Sequence, residues 1–335
     1  MSELDPVIGA EDRAVAAAPV RDVGAAVRTL TGRVGIVIPF LVTFVVLSVI
    51  SPPFTRFENL ANILDQQAGI VIAAAAATFV LIAGGIDLSI GAVYGLAGAM
   101  TAQLVASIGV PGAIATGVAL GLGVGVVNGI LVTRFRINAL IGTLAMTYVV
   151  GGIGAIGTKG NLVVAFDHPE FQQFATTRIL GVTSAAWMMI VLAIAAGVVL
   201  ARTTFGRYVY ATGGNAAAAR LGGVRVDAIR LATFVMSGGA AALAGILDSS
   251  RVLSAQASSG SFLTFTVLAG VVVGGTSILG GEGAIWRTVF GCLFIALVGN
   301  GFNLLGFDPF YQQITLGAIL LLAVGVDAWS RRFEQ

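Results

Sequence analysis

Apolar runs long enough to cross a lipid bilayer recur along almost the whole chain, and charged residues fall mainly in the gaps between them. A hydrocarbon layer about 30 Å thick needs about 20 helical residues to cross it. Within that layer each backbone N–H and C=O must be satisfied by the segment itself or by protein around it. The runs therefore read as membrane-spanning helices. They fall at 34–50, 68–86, 88–107, 109–133, 138–158, 183–201, 229–250, 262–281, 284–306 and 310–330. The expected fold class is therefore all-α, a polytopic membrane protein of about ten transmembrane helices. Composition agrees, with 57% hydrophobic and only 10% charged residues, and 46 glycines suited to close helix packing.

Basic residues orient the spans, because cytoplasmic loops carry the excess of Lys and Arg. With both termini placed in the cytoplasm, fourteen of the 18 basic residues fall inside; Arg56, Lys159, Arg178 and Arg251 fall outside. A miscount by one span would scramble this bias. The chain then divides into a cytoplasmic tail at 1–33, a transmembrane domain at 34–330 with a cytoplasmic loop at 202–228, and a short cytoplasmic tail at 331–335. The first tail lacks the basic start and apolar core of a secretory leader. A net charge of +2 gives no reason to expect a nucleic-acid partner. "VVNGILV" (126–132) echoes "VGNGFNLLG" (298–306), which suits an inverted repeat of spans two to five onto seven to ten.

Several chemistries are disfavoured by what the residues lack. Cys292, the single cysteine, sits in an apolar run and reads as a packing residue. His168 lies in the polar stretch "FDHPEF" with Asp167 and Glu170, too few ligands for a metal site. "GTKGN" (157–161) is no phosphate loop, and the pattern G-x-x-x-x-G-K-S/T is absent, so this chain is not expected to hydrolyse ATP. Gly121, Gly125 and Gly129 have the spacing of a close-packing helix face.

The main break in the apolar pattern is "FGRYVYATGGNAAAARLGGVRV" (205–226). Asn215 is a good N-cap for Ala216–Leu221, Gly222 and Gly223 offer a left-handed stop, and Gly213–Gly214 frees the backbone to turn. The product is a helix of about 9 Å at 1.5 Å per residue, too short to be stable unless something holds it. It reads either as a surface helix among headgroups or as a knob for a cytoplasmic partner.

"TFGRYVYATGGNAAAARLGGVRV" (204–226), "GGIDLSIGAVYGLAGAM" (84–100), "VVGGTSILGGEGAIWRTVFG" (272–291) and "NGFNLLGFDPFYQQITLGAILLLAV" (300–324) resemble, in order, the permeases of ATP-binding-cassette importers for ribose, xylose, arabinose and related monosaccharides. The resemblance implies a permease in a bacterial cytoplasmic membrane. It implies a second, identical or paralogous copy, an extracytoplasmic sugar-binding protein, and a cytoplasmic ATPase subunit that binds the ATP and magnesium, this chain having no cofactor of its own. It also implies a coupling helix, whose ATPase contacts are expected at Arg207, Gly213, Gly214, Asn215, Ala218, Ala219, Arg220, Leu221, Gly222 and Gly223. Two departures stand out: Ala216 and Ala217 replace acidic residues after the Gly-Gly-Asn, and Thr264 and Thr266 replace acidic residues before the Gly-Gly-Thr-Ser.

A sugar path needs groups that match hydroxyls, with apolar or aromatic walls. Asn128, Gln256, Asn300, Asn303, Gln312 and Gln313 are the polar candidates, with Phe302, Phe310 and Tyr311 as wall residues. Asp87, flanked by Gly85 and Ser89, reads as a cap on the third span or as part of an inner gate framed by a broken helix. A polyol, a signalling sugar derivative or a nucleoside would suit the same scaffold. An ion-coupled transporter would favour several ionisable residues deep in the spans, and only Asp87 and Asp248 are plausible. An intramembrane enzyme would need a catalytic set that does not appear.

Overall fold

The computed structural model describes residues 35–330; the tails expected at 1–33 and 331–335 lie outside the described residues. In chain order the elements are α1 (Val37–Ile50), α2 (Phe57–Ile82), α3 (Ile90–Thr133), α4 (Ala139–Thr158), β1 (Val163–Val164), α5 (Pro169–Thr176), β2 (Arg178–Ile179), β3 (Val182–Thr183) and α6 (Ser184–Arg202). Then come α7 (Thr204–Gly214), α8 (Ala216–Leu221), α9 (Val226–Val252), β4 (Ser254–Ala255), α10 (Leu263–Val273), α11 (Ile285–Leu304) and α12 (Pro309–Ser330). The strands form two small antiparallel pairs, β1 with β4 and β2 with β3.

Six of these helices are long and apolar enough to cross a membrane, and α1, α10 and 309–322 of α12 are shorter apolar helices. One of the six is two helices. In α3, Gly109 adopts φ 70° and ψ 168°, outside the helical region, and Pro111 follows it. Thr101 Oγ1 donates to the Ala113 carbonyl at 3.4 Å. Twelve residues along a straight helix would separate these groups by about 18 Å, so the chain folds back at Gly109 and its two halves run antiparallel. This matches the expected division between 88–107 and 109–133.

The core forms around α2, α3 and α9. Every residue of α2 from Val71 to Ile82 is buried, the pattern of a helix apolar all round and surrounded by others. On the second half of α3, Gly121 and Gly125 lie against the backbone of α9 at Gly238 and Phe234, where a Cβ would collide. The expected close-packing face is therefore real, and its partner is α9.

Several expected spans have other bounds. The run 68–86 is part of a helix that starts at Phe57 and stops at Ile82, and 83–89 is not helical. The run 262–281 holds only the 11-residue α10, because the glycines beyond it leave helical geometry: Gly275, Gly280 and Gly281 have φ of 78°, 92° and 78°. The first span begins at Val37.

Threonines satisfy the backbone of the non-helical stretch 83–89. Leu88 N donates to Thr143 Oγ1 at 2.9 Å, and the Leu88 carbonyl accepts from Thr147 at 3.0 Å and from Thr264 at 3.3 Å. The start of α3 meets the start of α10, with Gly91 N donating to Thr264 Oγ1 at 2.9 Å. Gly91 and Gly260 pack so closely that a Cβ on either would strike the other's carbonyl. Thr264 thus lends its hydroxyl to two backbone groups, which an acidic side chain could not do in both directions.

Candidate functional site

The loop between α6 and α9 folds locally as its residues dictate. Asn215 Oδ1 accepts from Ala217 N and Ala218 N, each at 3.0 Å, and caps α8. At the other end Gly223, with φ 83°, is the left-handed residue; Gly222, at φ −77°, is not. Ala219 is buried beneath the helix, whereas Ala217, Ala218 and Arg220 face outward and Leu221 is 92% exposed. Arg220 pairs with Asp227 at 2.8 Å, across the turn into α9. Arg207 is exposed on α7, a helix the sequence did not announce.

Gly213 and Gly214 end α7 instead of forming a turn. A Cβ on Gly213 would collide with the Ile82 carbonyl and press on Gly281 N, and Gly281 N itself donates to the Ile82 carbonyl at 2.9 Å. Cβ positions on Gly280 and Gly281 would meet Gly84 and Gly214 at 3.0 Å. Three Gly-Gly pairs from distant parts of the chain therefore meet backbone to backbone: 84–85, 213–214 and 280–281. Tyr210 Oη donates to the Gly283 carbonyl at 2.7 Å and ties α7 to the same place. Burial raises the Tyr210 pKa, which keeps the phenol a donor. Arg230 Nε reaches the Ala83 carbonyl at 3.3 Å from α9.

Beyond this junction lies Asp87, 1% exposed. Its Oδ1 accepts from Ser89 N at 2.9 Å and Ser89 Oγ at 2.6 Å, and its Oδ2 accepts from Ser237 Oγ at 2.8 Å. Asn128 Nδ2 donates to Ser89 Oγ at 2.8 Å. The carboxylate thus holds Ser89, the residue before α3, and joins it to α9, whereas no side chain caps the first turn of α3 itself. Gly85, Asp87, Ser89 and Asn128 line neither of the two large cavities.

The larger cavity, about 900 Å3, lies toward the opposite end from α8, between α2, α10, α11 and α12. Asn300 and Asn303 of α11 and Gln312 and Gln313 of α12 line it, as does Thr266. So do Asn59, Asn62, Gln66 and Gln67 of α2, which the sequence reading passed over. Their signal was available: positions 59, 62 and 66 share one helical face. Among the described residues no Asp, Glu, Lys, Arg or His lines this cavity. Asn59 and Asn300 bond reciprocally, Nδ2 to Oδ1 at 3.1 Å and 2.9 Å, and Gln312 Nε2 donates to Asn303 Oδ1 at 2.6 Å. Gln256 lines a second cavity of about 710 Å3, and Phe265 borders both. Phe310, 71% exposed, does not line the larger cavity, and neither do Phe302 and Tyr311.

His168 Nδ1 lies 2.9 Å from Glu170 Oε1. Cys292 is buried against Gly270. Among the described residues no three of His, Cys, Asp and Glu gather as a metal site.

Residues 59–324 match the family described as "Branched-chain amino acid transport system / permease component". The chain is 39% identical to the ribose import permease protein RbsC of Escherichia coli (strain K12) over 294 residues, 87% of this chain and 92% of that one. It is 37% identical to the ribose import permease protein RbsC of Bacillus subtilis (strain 168), over 86% of this chain and 91% of the relative. It is also 37% identical to the L-arabinose ABC transporter permease protein AraH of Azospirillum brasilense, over 94% and 93%. No solved structure matches. With a glycine-packed helical fold and a match of this extent, the chain belongs to the branched-chain amino acid transport system / permease component family.

Proposed function

We propose that this chain is the membrane subunit of an ATP-binding-cassette importer that carries a monosaccharide into the cytoplasm. Likeness over nearly the full length to permeases named for ribose and arabinose carries this reading. Two copies face each other in a bacterial cytoplasmic membrane, each with ten spans and both termini inside. The six long helices, the reversal at Gly109 and the three shorter apolar helices are compatible with that count. The head-to-head starts of α3 and α10 favour the inverted repeat.

In this reading, sugar leaves a soluble binding protein and enters the amide-lined cavity in the outer half of the subunit. A separate ATPase holds ATP and magnesium and seats α8 in a groove, with Leu221 and Ala218 at the contact. Docking drives transport only if the ATP-closed ATPase binds one orientation of α8 better than the other. A branched-chain amino acid is the second reading, from the family's description. The cavity disfavours it, since a zwitterion asks for partners to two charges and the lining supplies neutral groups. Deleting the gene and measuring uptake of labelled D-ribose, L-arabinose and L-leucine tests the proposal. Loss of pentose uptake, restored by the gene, is expected; loss of leucine uptake alone would overturn it.

A further inference from the structure

The Asn59–Asn300 pair is the most fully satisfied polar contact in the larger cavity. Asn59 spends its second N–H on the Phe54 carbonyl at 2.9 Å, so that side chain is anchored to its own helix entrance. Among the described residues the Asn300 side chain hydrogen-bonds Asn59 alone, across to α11. Asn303 lies one helical turn along α11 and takes the Gln312 amide from α12. Two amide contacts thus tie three helices together along the cavity wall.

A carboxamide offers one donor and one acceptor side by side in a plane. Two hydroxyls on adjacent carbons offer the same pair. A solute that carries two such pairs can satisfy both amides at once, so opening the contact in its presence leaves no group unpaired. An apolar or singly hydroxylated solute leaves at least one of these half-buried donors or acceptors empty, and that costs more the more fully water is excluded. A site built to hydrogen-bond a substrate rejects the analogue that lacks the group.

We propose that the Asn59–Asn300 pair is the specificity clasp of this cavity, opening by exchange with adjacent hydroxyls of a polyhydroxylated solute. This rests on the monosaccharide reading above. Asn300 is the exchanging half and Asn59 the fixed half.

The decisive experiment uses cells with the complete transporter and an Asn59→Cys/Asn300→Cys chain. The native Cys292 is sealed from reagents by burial. A short, reducible bis-methanethiosulfonate bridge between the two cysteines should stop D-ribose uptake, and reductant should restore it. Each single-cysteine variant should start below the parent chain in uptake, and the same treatment should lower it no further. A bridged chain that still carries ribose overturns the clasp. Separately, Asn300→Leu should lower ribose uptake about tenfold while narrowing the preference for ribose over 2-deoxyribose, and Asn300→Ser should recover most of both. An equal loss for both sugars with no recovery by serine indicates a merely structural contact and also overturns it. If Asn300→Leu fails to reach the membrane, the bridging result decides alone. A parent chain that carries no pentose refutes the monosaccharide reading, whereas pentose uptake unaffected by the bridge refutes only the clasp.

Discussion

The two ends of this molecule join distant helices by opposite means. Toward one end, α2, α11 and α12 are held by carboxamides around a cavity of about 900 Å3. Toward the other, the carboxyl end of α2, the end of α7 and the 274–284 loop touch through glycine backbones with no room for a methyl group at Gly213. Amide contacts can exchange partners with a hydroxylated solute. Backbone contacts can only move together. A displacement of α7 is therefore delivered directly to Ile82 and the Asp87 stretch, whereas the amide end can yield without disturbing the core.

Substitutions can break or sharpen this contrast. The largest effect is expected from Gly213→Val, which drives a side chain into the Ile82 carbonyl at a cost on the order of 3 kcal/mol. Uptake should vanish and thermal stability fall, while Gly214→Ala, with open space at its Cβ, should be tolerated. Equal tolerance at both positions would end the idea of a tight junction.

Next comes the knob. Ala218→Asp should reduce uptake to background with a normal amount of protein in the membrane, because Ala218 faces outward. Ala219→Asp should also lower that amount, since Ala219 is buried. Membrane fractions probed alongside transport separate the two, and normal uptake in Ala218→Asp would remove α8 from the docking role.

Ser237→Ala takes one donor from the buried Asp87 carboxylate and should destabilise the fold by about 1–3 kcal/mol, read as a lower midpoint in detergent. An unchanged midpoint would mean that Asp87 does not need α9. The smallest effect on stability is expected from Asn62→Leu, on an exposed cavity wall. Uptake should drop severalfold with the midpoint unmoved; the reverse result would make the amide face a structural seam like the glycine junction.

The short helix was legible because its signals are local: an asparagine cap, four alanines and a glycine stop lie within nine positions. The reversal at Gly109 was legible for the same reason. The amide face of α2 was missed because Asn59, Asn62, Asp65, Gln66 and Gln67 lower the local hydropathy, so the apolar run seemed to begin at Ala68. A helical-spacing test of the polar residues would have found it. The extent of α10 was hidden because "GGTSILGG" counts as weakly apolar while its glycines leave helical geometry. The purpose of Gly213 lay beyond any local reading, since the atoms that exclude a side chain there belong to residues 82 and 281.

Gly109 is the corner between the two halves of α3. It reverses α3 with a single left-handed residue and open space around it, while Thr101 and Ala113 fix how the halves lie against each other. Such a corner has no slack, so chain length itself sets the alignment of the two rods. Two or three added residues would keep both rods intact yet let them slip past one another, turning a fixed strut into a sliding one.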